Sequence, residues 1–127
     1  MYKFATKSLG LRPSSIVLYG RSVGSGPTCY LAEREKDLGG VILHSALTSI
    51  FRIVFNWRFT LPGDPFPNLA RLKKVKVPVL VIHGTKDEVV PFEHGLQLWQ
   101  ATSRKVEPFF VHGAGHNDVE KVAMNLR

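Results

Sequence analysis

The sequence is short of several things, and each shortage excludes something. There is one cysteine, Cys29, so no internal disulfide can form and a reducing compartment, the cytoplasm, is the simplest expectation. No apolar run approaches the roughly 20 residues of a membrane-spanning helix. The first residues, "MYKFATKSLGLRPSS", lack the apolar stretch and small-residue cleavage site of a secretory signal. The myristoylation glycine and the prenylation box are absent too. The five histidines fit no common zinc spacing, so no metal and no cofactor is expected. There are no internal repeats and no low-complexity tracts.

What is present is an ordinary globular composition. Of the 127 residues, 44% are apolar and 21% charged, enough for one domain, residues 1–127, with a single core and too apolar for disorder. The net charge is +7 and the isoelectric point about 9.9. Such a charge can mean nucleic acid, an anionic membrane surface or an acidic partner. Here the basic residues are scattered. The densest group, Arg71, Lys73, Lys74 and Lys76, reads as the solvated face and end of a short helix, and no stacking or groove-reading motif accompanies it. Nucleic acid is therefore not expected as a partner.

Hydrophobic periodicity organises the chain. Residues 1–9 read as a helix end stopped near Gly10. "SSIVLYG", "GGVILHSA", "VPVLVIHG" and "VEPFFVHG" read as four buried strands. Between and after them, "VGSGPTCYLAEREKD", "PFEHGLQLWQAT" and "NDVEKVAMNLR" read as helices. Pro27 is tolerable near the start of the first, Pro91 opens the second, and Asn117 stands in the capping position of the third. Strands alternating with helices predict a parallel sheet with right-handed crossovers and covered faces. Residues 47–68 break the alternation. There Ile50, Val54, Trp57 and Leu61 form one helical stripe and Phe51, Phe55 and Phe59 another. A helix apolar around most of its circumference is buried on two sides or faces an apolar ligand.

The stretch "VLYGRSVGSGPT" carries the chemistry. Gly20-Arg21-Ser22-Val23-Gly24 fits G-x-S-x-G in a strand-turn-helix context, the nucleophile elbow. Such a turn lifts the serine hydroxyl above the sheet edge and points the next N–H, that of Val23, at a developing oxyanion. A serine nucleophile needs a base, and the base needs an orienting carboxylate. "VIHGTKDEVVP" ends the third strand and offers Asp87; "FFVHGAGHND" ends the fourth and offers His116. Both lie past C-terminal strand ends, where open parallel sheets build their sites. The order Ser22, Asp87, His116 is that of the α/β-hydrolases. His44 and His83 read as structural partners, and His94 as solvated. His112 lies at a strand end, and Glu88 and Asp118 read as loop or cap residues. The lack of a lysine in "GRSVGSGPT" disfavours a phosphate loop.

"SSIVLYGRSVGSGPT", "GGVILHSALTS", "VPVLVIHGTKDEVVPFEHG" and "VEPFFVHGAGHND" together resemble the α/β-hydrolase fold. They are most similar to the α/β-hydrolase-domain branch that includes the protein depalmitoylases, thioesterases acting on S-acylated cysteines. The resemblance implies a three-layer α/β-hydrolase fold, with Ser22 as nucleophile, His116 as base and Asp87 as acid. It implies an esterase or thioesterase whose substrate is an acyl ester or thioester, S-acylated proteins included, and a peripheral association with membranes. It also makes residues 47–68 a lid or insert, with Phe51, Phe55, Trp57 and Phe59 as candidate acyl-chain contacts; core packing is the alternative. The fold usually has about eight strands with the elbow after the fifth. Here the elbow follows the first, so the N-terminal strands are expected to be missing. The uncovered edge of Ser15 to Tyr19 would then invite self-association. Two further classes stay open: a non-catalytic remnant or interaction module, and a serine peptidase of the prolyl-oligopeptidase type.

Overall fold

The computed structural model describes residues 1–50, 63 and 66–125. A π-helical turn at Phe4–Ser8 and a 3-10 turn at Pro13–Ser15 lead into β1, Val17–Arg21. A 3-10 turn at Ser22–Gly24 passes directly into α1, Ser25–Arg34, and β2 follows at Gly40–His44. Next come α2 (Asn68–Leu72), β3 (Val79–Gly84), α3 (Phe92–Ala101), β4 (Phe109–Val111) and α4 (Val119–Met124). The apolar segment 47–68 falls largely outside the described residues, and Phe51, Phe55, Trp57 and Phe59 with it.

The four strands form one parallel sheet in the order β1-β2-β3-β4. Their register aligns Arg21 with His44, His44 with Ile82, and Ile82 with Phe109. Because every strand runs the same way, all four C-terminal ends share one rim. Side chains alternate across the sheet. Leu18, Val41, Leu43, Val79 and Val81 join the main core with Cys29 and Ala32 of α1, Leu72 of α2 and Leu98 of α3. The opposite face carries a smaller cluster, in which Val111, Ala114 and Val119 pack with Ile82 and Val122. Among the described residues, helices thus lie on both faces, three on one and α4 on the other.

That uneven cover corrects one expectation. β2 and β3 are largely buried, as continuous apolar runs should be. β1 is not: Val17 and Tyr19 are each 54% exposed. They lie on the α4 face of the edge strand, and β1 has no neighbour on its outer side among the described residues. A second correction concerns the last helix. Asp118, not Asn117, occupies its N-cap, and neither caps it through a side chain. Both side chains are engaged elsewhere: Asp118 Oδ1 accepts the Gly115 N–H and Asn117 Oδ1 accepts from Arg21.

Leu43 is completely buried at the centre of β2, so Leu43→Ala should cost about 2–5 kcal/mol. Val17→Thr, on the exposed part of β1, should stay within about 0.5 kcal/mol. Urea denaturation with unchanged m-values checks both.

Candidate active site

The rim where the strands end gathers the polar side chains. The elbow leaves β1 with almost no spacer. Arg21 is still extended, at φ −108° and ψ 136°, and Ser22 has φ +49°. A left-handed non-glycine residue is strained and persists only where its surroundings hold it. One reason the turn can be so tight is Gly20. A Cβ there would stand 2.6 Å from Thr28 Oγ1 and 3.0 Å from the Gly24 carbonyl, so α1 can approach β1 only over a glycine. Gly24, the other glycine of the motif, has open space at its Cβ position; its side chain is not sterically forbidden.

The strain at Ser22 is held from below. The Ser25 hydroxyl donates to the Ser22 carbonyl at 2.6 Å and accepts from Leu47 N–H and Asn68 Nδ2. Asn68 Nδ2 also donates to the Leu47 carbonyl at 2.8 Å. Ser25 and Asn68 are fully buried, so this network is shielded from competing water. It joins the elbow, the turn after β2 and the start of α2. Ser45, directly beyond β2 and abreast of Ser22 in the register, is the other non-glycine residue with positive φ among the described residues, at +44°.

Asp87 and His116 meet above β3. His116 Nδ1 donates to Asp87 Oδ2 at 2.8 Å, with Oδ1 at 3.0 Å. Both residues are 7% exposed. Asp87 Oδ1 also accepts the N–H groups of Val89 and Val90, at 3.0 and 2.7 Å. Burial pushes the Asp87 carboxyl up, but the Val90 N–H, the His116 ring and the Val89 N–H outweigh it, and its pKa lies below the ordinary value. Asp87 is therefore an ionised carboxylate fixed in one orientation against one imidazole nitrogen. Gly84 lets the His116 loop pass so low, because a Cβ there would run into the Ala114 carbonyl.

Ser22 is half-buried and Val23 is 58% exposed, so the elbow opens to solvent. As the second residue of the helical turn, Val23 has an N–H with no acceptor inside it. No hydrogen bond joins Ser22 Oγ to His116 among the described residues. A longer link does connect the two elements: Arg21 Nη2 donates to the His116 carbonyl at 2.9 Å and to Asn117 Oδ1 at 3.2 Å. Arg21, Ser25 and Asn68 are absent from the residues singled out in the sequence, and no local pattern marks them.

The other titratable groups fall into place around this rim. His83 is fully buried; its Nε2 donates to the Val90 carbonyl at 2.8 Å and lies 3.4 Å from Asp87 Oδ2. His44 shares a 2.7 Å hydrogen bond with the Tyr19 hydroxyl. Both act as structural partners, as expected. His94 is not merely solvated: it is half-buried, and its Nδ1 accepts the Thr48 N–H at 3.2 Å. His112 is exposed just past β4. Cys29 is buried in α1, and burial pushes its thiol up to about 12, far from a thiolate nucleophile. Among the described residues no three histidine, cysteine or acidic side chains are grouped to hold a metal ion.

The comparisons with known proteins agree with this fold. The sequence signature of the Prolyl oligopeptidase family matches residues 62–121. The chain is 49% identical over 112 residues to human alpha/beta hydrolase domain-containing protein 17B, covering 87% of this chain and 38% of that protein. It is 49% identical over 118 residues to the mouse 17C protein, covering 92% and 37%. The chain thus spans less than two-fifths of the length of these curated relatives. Among solved structures it matches a Paleococcus ferrophilus monoacylglycerol lipase, with TM-score 0.68, 19% identity, 98% of this chain and 70% of that one covered. It also matches a Pyrococcus horikoshii acylaminoacyl peptidase, with TM-score 0.72, 14% identity and 98% and 25% covered. Identities so low speak for the fold alone.

Burial lowers the pKa of both His44 and His83. Their neutral forms are favoured in the folded state, so the stability they contribute is complete above the unfolded value of about 6.5 and is lost as pH falls below it. The depressed Asp87 adds a further loss in acid, below about pH 4. The urea midpoint should therefore fall between pH 7.5 and 5.5. His83→Gln should flatten that slope, and a midpoint independent of pH would contradict the assignment.

Proposed function

We propose, for a chain that belongs to the α/β-hydrolase fold family, that it hydrolyses acyl esters or thioesters through Ser22, His116 and Asp87. The reading is supported above all by the buried Asp87–His116 pair on the rim where the strained Ser22 turn ends β1. Among the described residues this rim brings a fixed carboxylate and an imidazole to the same side of the sheet as the half-buried Ser22.

In this reading Asp87 holds the His116 proton on Nδ1 and leaves Nε2 as the base. Nε2 takes the Ser22 hydroxyl proton as Oγ bonds to the acyl carbonyl carbon. The negative charge that develops on the carbonyl oxygen is met by the Val23 N–H at the head of the turn. The imidazolium then returns its proton to the departing alkoxide or thiolate as the C–O or C–S bond breaks. Water enters, gives a proton to Nε2 and attacks the acyl-enzyme; Ser22 leaves with that proton and the carboxylic acid is released. Ionised Asp87 stabilises each imidazolium. Phe51, Phe55, Trp57 and Phe59 would suit the acyl chain; this part of the reading rests on sequence alone. S-acylated protein is the substrate class suggested by the sequence resemblance to the depalmitoylases.

A fluorophosphonate should label Ser22, and Ser22→Ala should not react; equal labelling of the two would remove this nucleophile. Asp87→Asn should lower acyl transfer by about 10⁴, as expected when the tautomer-fixing acid is lost. Glu88→Gln, at an exposed neighbouring carboxylate, should change it by less than about tenfold. Parallel assays of acyl thioester, p-nitrophenyl ester and peptide substrates should rank the peptide last. A preference for the peptide would favour the prolyl-oligopeptidase type of chemistry instead.

A further inference from the structure

We infer that Arg21, the variable residue before the nucleophile in G-x-S-x-G, is a positioning residue: its guanidinium sets where the His116 loop stands over the elbow. The inference rests on the reading of Ser22 and His116 as nucleophile and base.

The argument starts from distance along the sheet. Ser22 follows β1 and His116 follows β4, at opposite ends of the four-strand order. Three strand spacings of roughly 4.8 Å separate them, about 14 Å in all. The loop of residues 112–118 has to arch back across the rim to bring the imidazole toward Ser22. Its origin is well tied to the β3 side. Thr85 N–H donates to the Val111 carbonyl at 3.0 Å and Lys86 N–H to the Ala114 carbonyl at 2.9 Å. Gly113 N–H donates to Thr85 Oγ1 at 3.0 Å, and Asp87 holds the ring itself. All these anchors lie on one side of the arch.

On the elbow side the only hydrogen bonds to the loop, among the described residues, come from Arg21. They reach the main chain of His116 and the side chain of the residue after it. Arg21 lies on the same sheet face as α4, which the loop enters. No carboxylate lies within 4.0 Å of Arg21 among the described residues, so its charge is directed to these two neutral oxygens. A guanidinium presents several N–H groups in a rigid plane, which suits two acceptors one residue apart. One residue joined by a peptide bond to the nucleophile therefore grips the backbone of the base, 95 positions away in sequence. Misplacing a catalytic group by about 1 Å can cost on the order of 10² in rate, so losing this grip should be felt in the chemical step.

The test uses the parent protein, Arg21→Ala, and Arg21→Met, which keeps the aliphatic stem and guards against a variant that fails to fold. Fluorophosphonate labelling rates, kcat and KM for a p-nitrophenyl ester, and thermal midpoints are measured together. Both variants should lose about ten- to a hundredfold in labelling rate and kcat while KM stays nearly constant. Millimolar ethylguanidinium should restore part of the rate in Arg21→Ala, where it can occupy the vacated space. A purely structural contact would lower the midpoint, leave the rate per folded molecule intact and give no rescue; that result overturns the inference. Parent-like labelling of both variants also overturns it, while leaving the hydrolase reading in place. A parent that does not react at Ser22 overturns both.

Discussion

Parallel pairing of four strands in their sequence order is the constraint on which everything else depends. It sends every chain direction the same way, so each loop that follows a strand emerges on one rim. Ser22 after β1, Asp87 after β3 and His116 after β4 share that rim for this reason. The register then decides which side chains share a face. Leu43 and Val81 point into the core under α1, α2 and α3, whereas Arg21 and His44 point to the side where α4 packs. The strands are short, and much of the stabilisation must come from this completely buried aliphatic layer.

Within that frame the rim carries buried polarity, and its cost is offset by hydrogen bonds. Asp87 is almost entirely shielded, yet it stays ionised because two main-chain N–H groups and one imidazole converge on it. Hydrogen bonds to a charged group contribute about 1.5–3 kcal/mol each, enough to outweigh desolvation. His83 underlies the same carboxylate and is held by the Val90 carbonyl. The loop 87–90 is thus bonded from both directions, which makes the acid a rigid part of the scaffold. The elbow is treated in the same way. Its left-handed serine is locked by Ser25, and Ser25 by Asn68, two buried side chains that touch no solvent.

The four strands and the helices α1, α3 and α4 were legible in sequence because each has a strong local signature. Apolar runs rich in β-branched residues marked β2 and β3, and Pro91 marked the start of α3. Exposure was less legible. "SSIVLYG" looks as apolar as the central strands, yet Val17 and Tyr19 stand half in solvent, since β1 is the edge strand of the described sheet and the apolar side of α4 packs on Ile82 and Val111. Asn117 has the residue type of a cap but is claimed by Arg21, and His94 has the pattern of a solvated helical residue but is claimed by Thr48. In each case a long-range partner prevailed over a local preference.

The sequence by itself determined which segments are strands and helices, that they alternate, and that a serine, an aspartate and a histidine follow strand ends in that order. These are local properties, written in periodicity and turn chemistry within a few residues. The tertiary structure alone decided that the Asp87 carboxylate faces His116 Nδ1, that Ser25 and Asn68 brace the elbow, and that Arg21 reaches the His116 carbonyl. Those contacts join residues 29, 43 and 95 positions apart. Their existence follows from strand order, register and the face each side chain takes. No short stretch of sequence contains that information, because it arises only when separate stretches pack against one another.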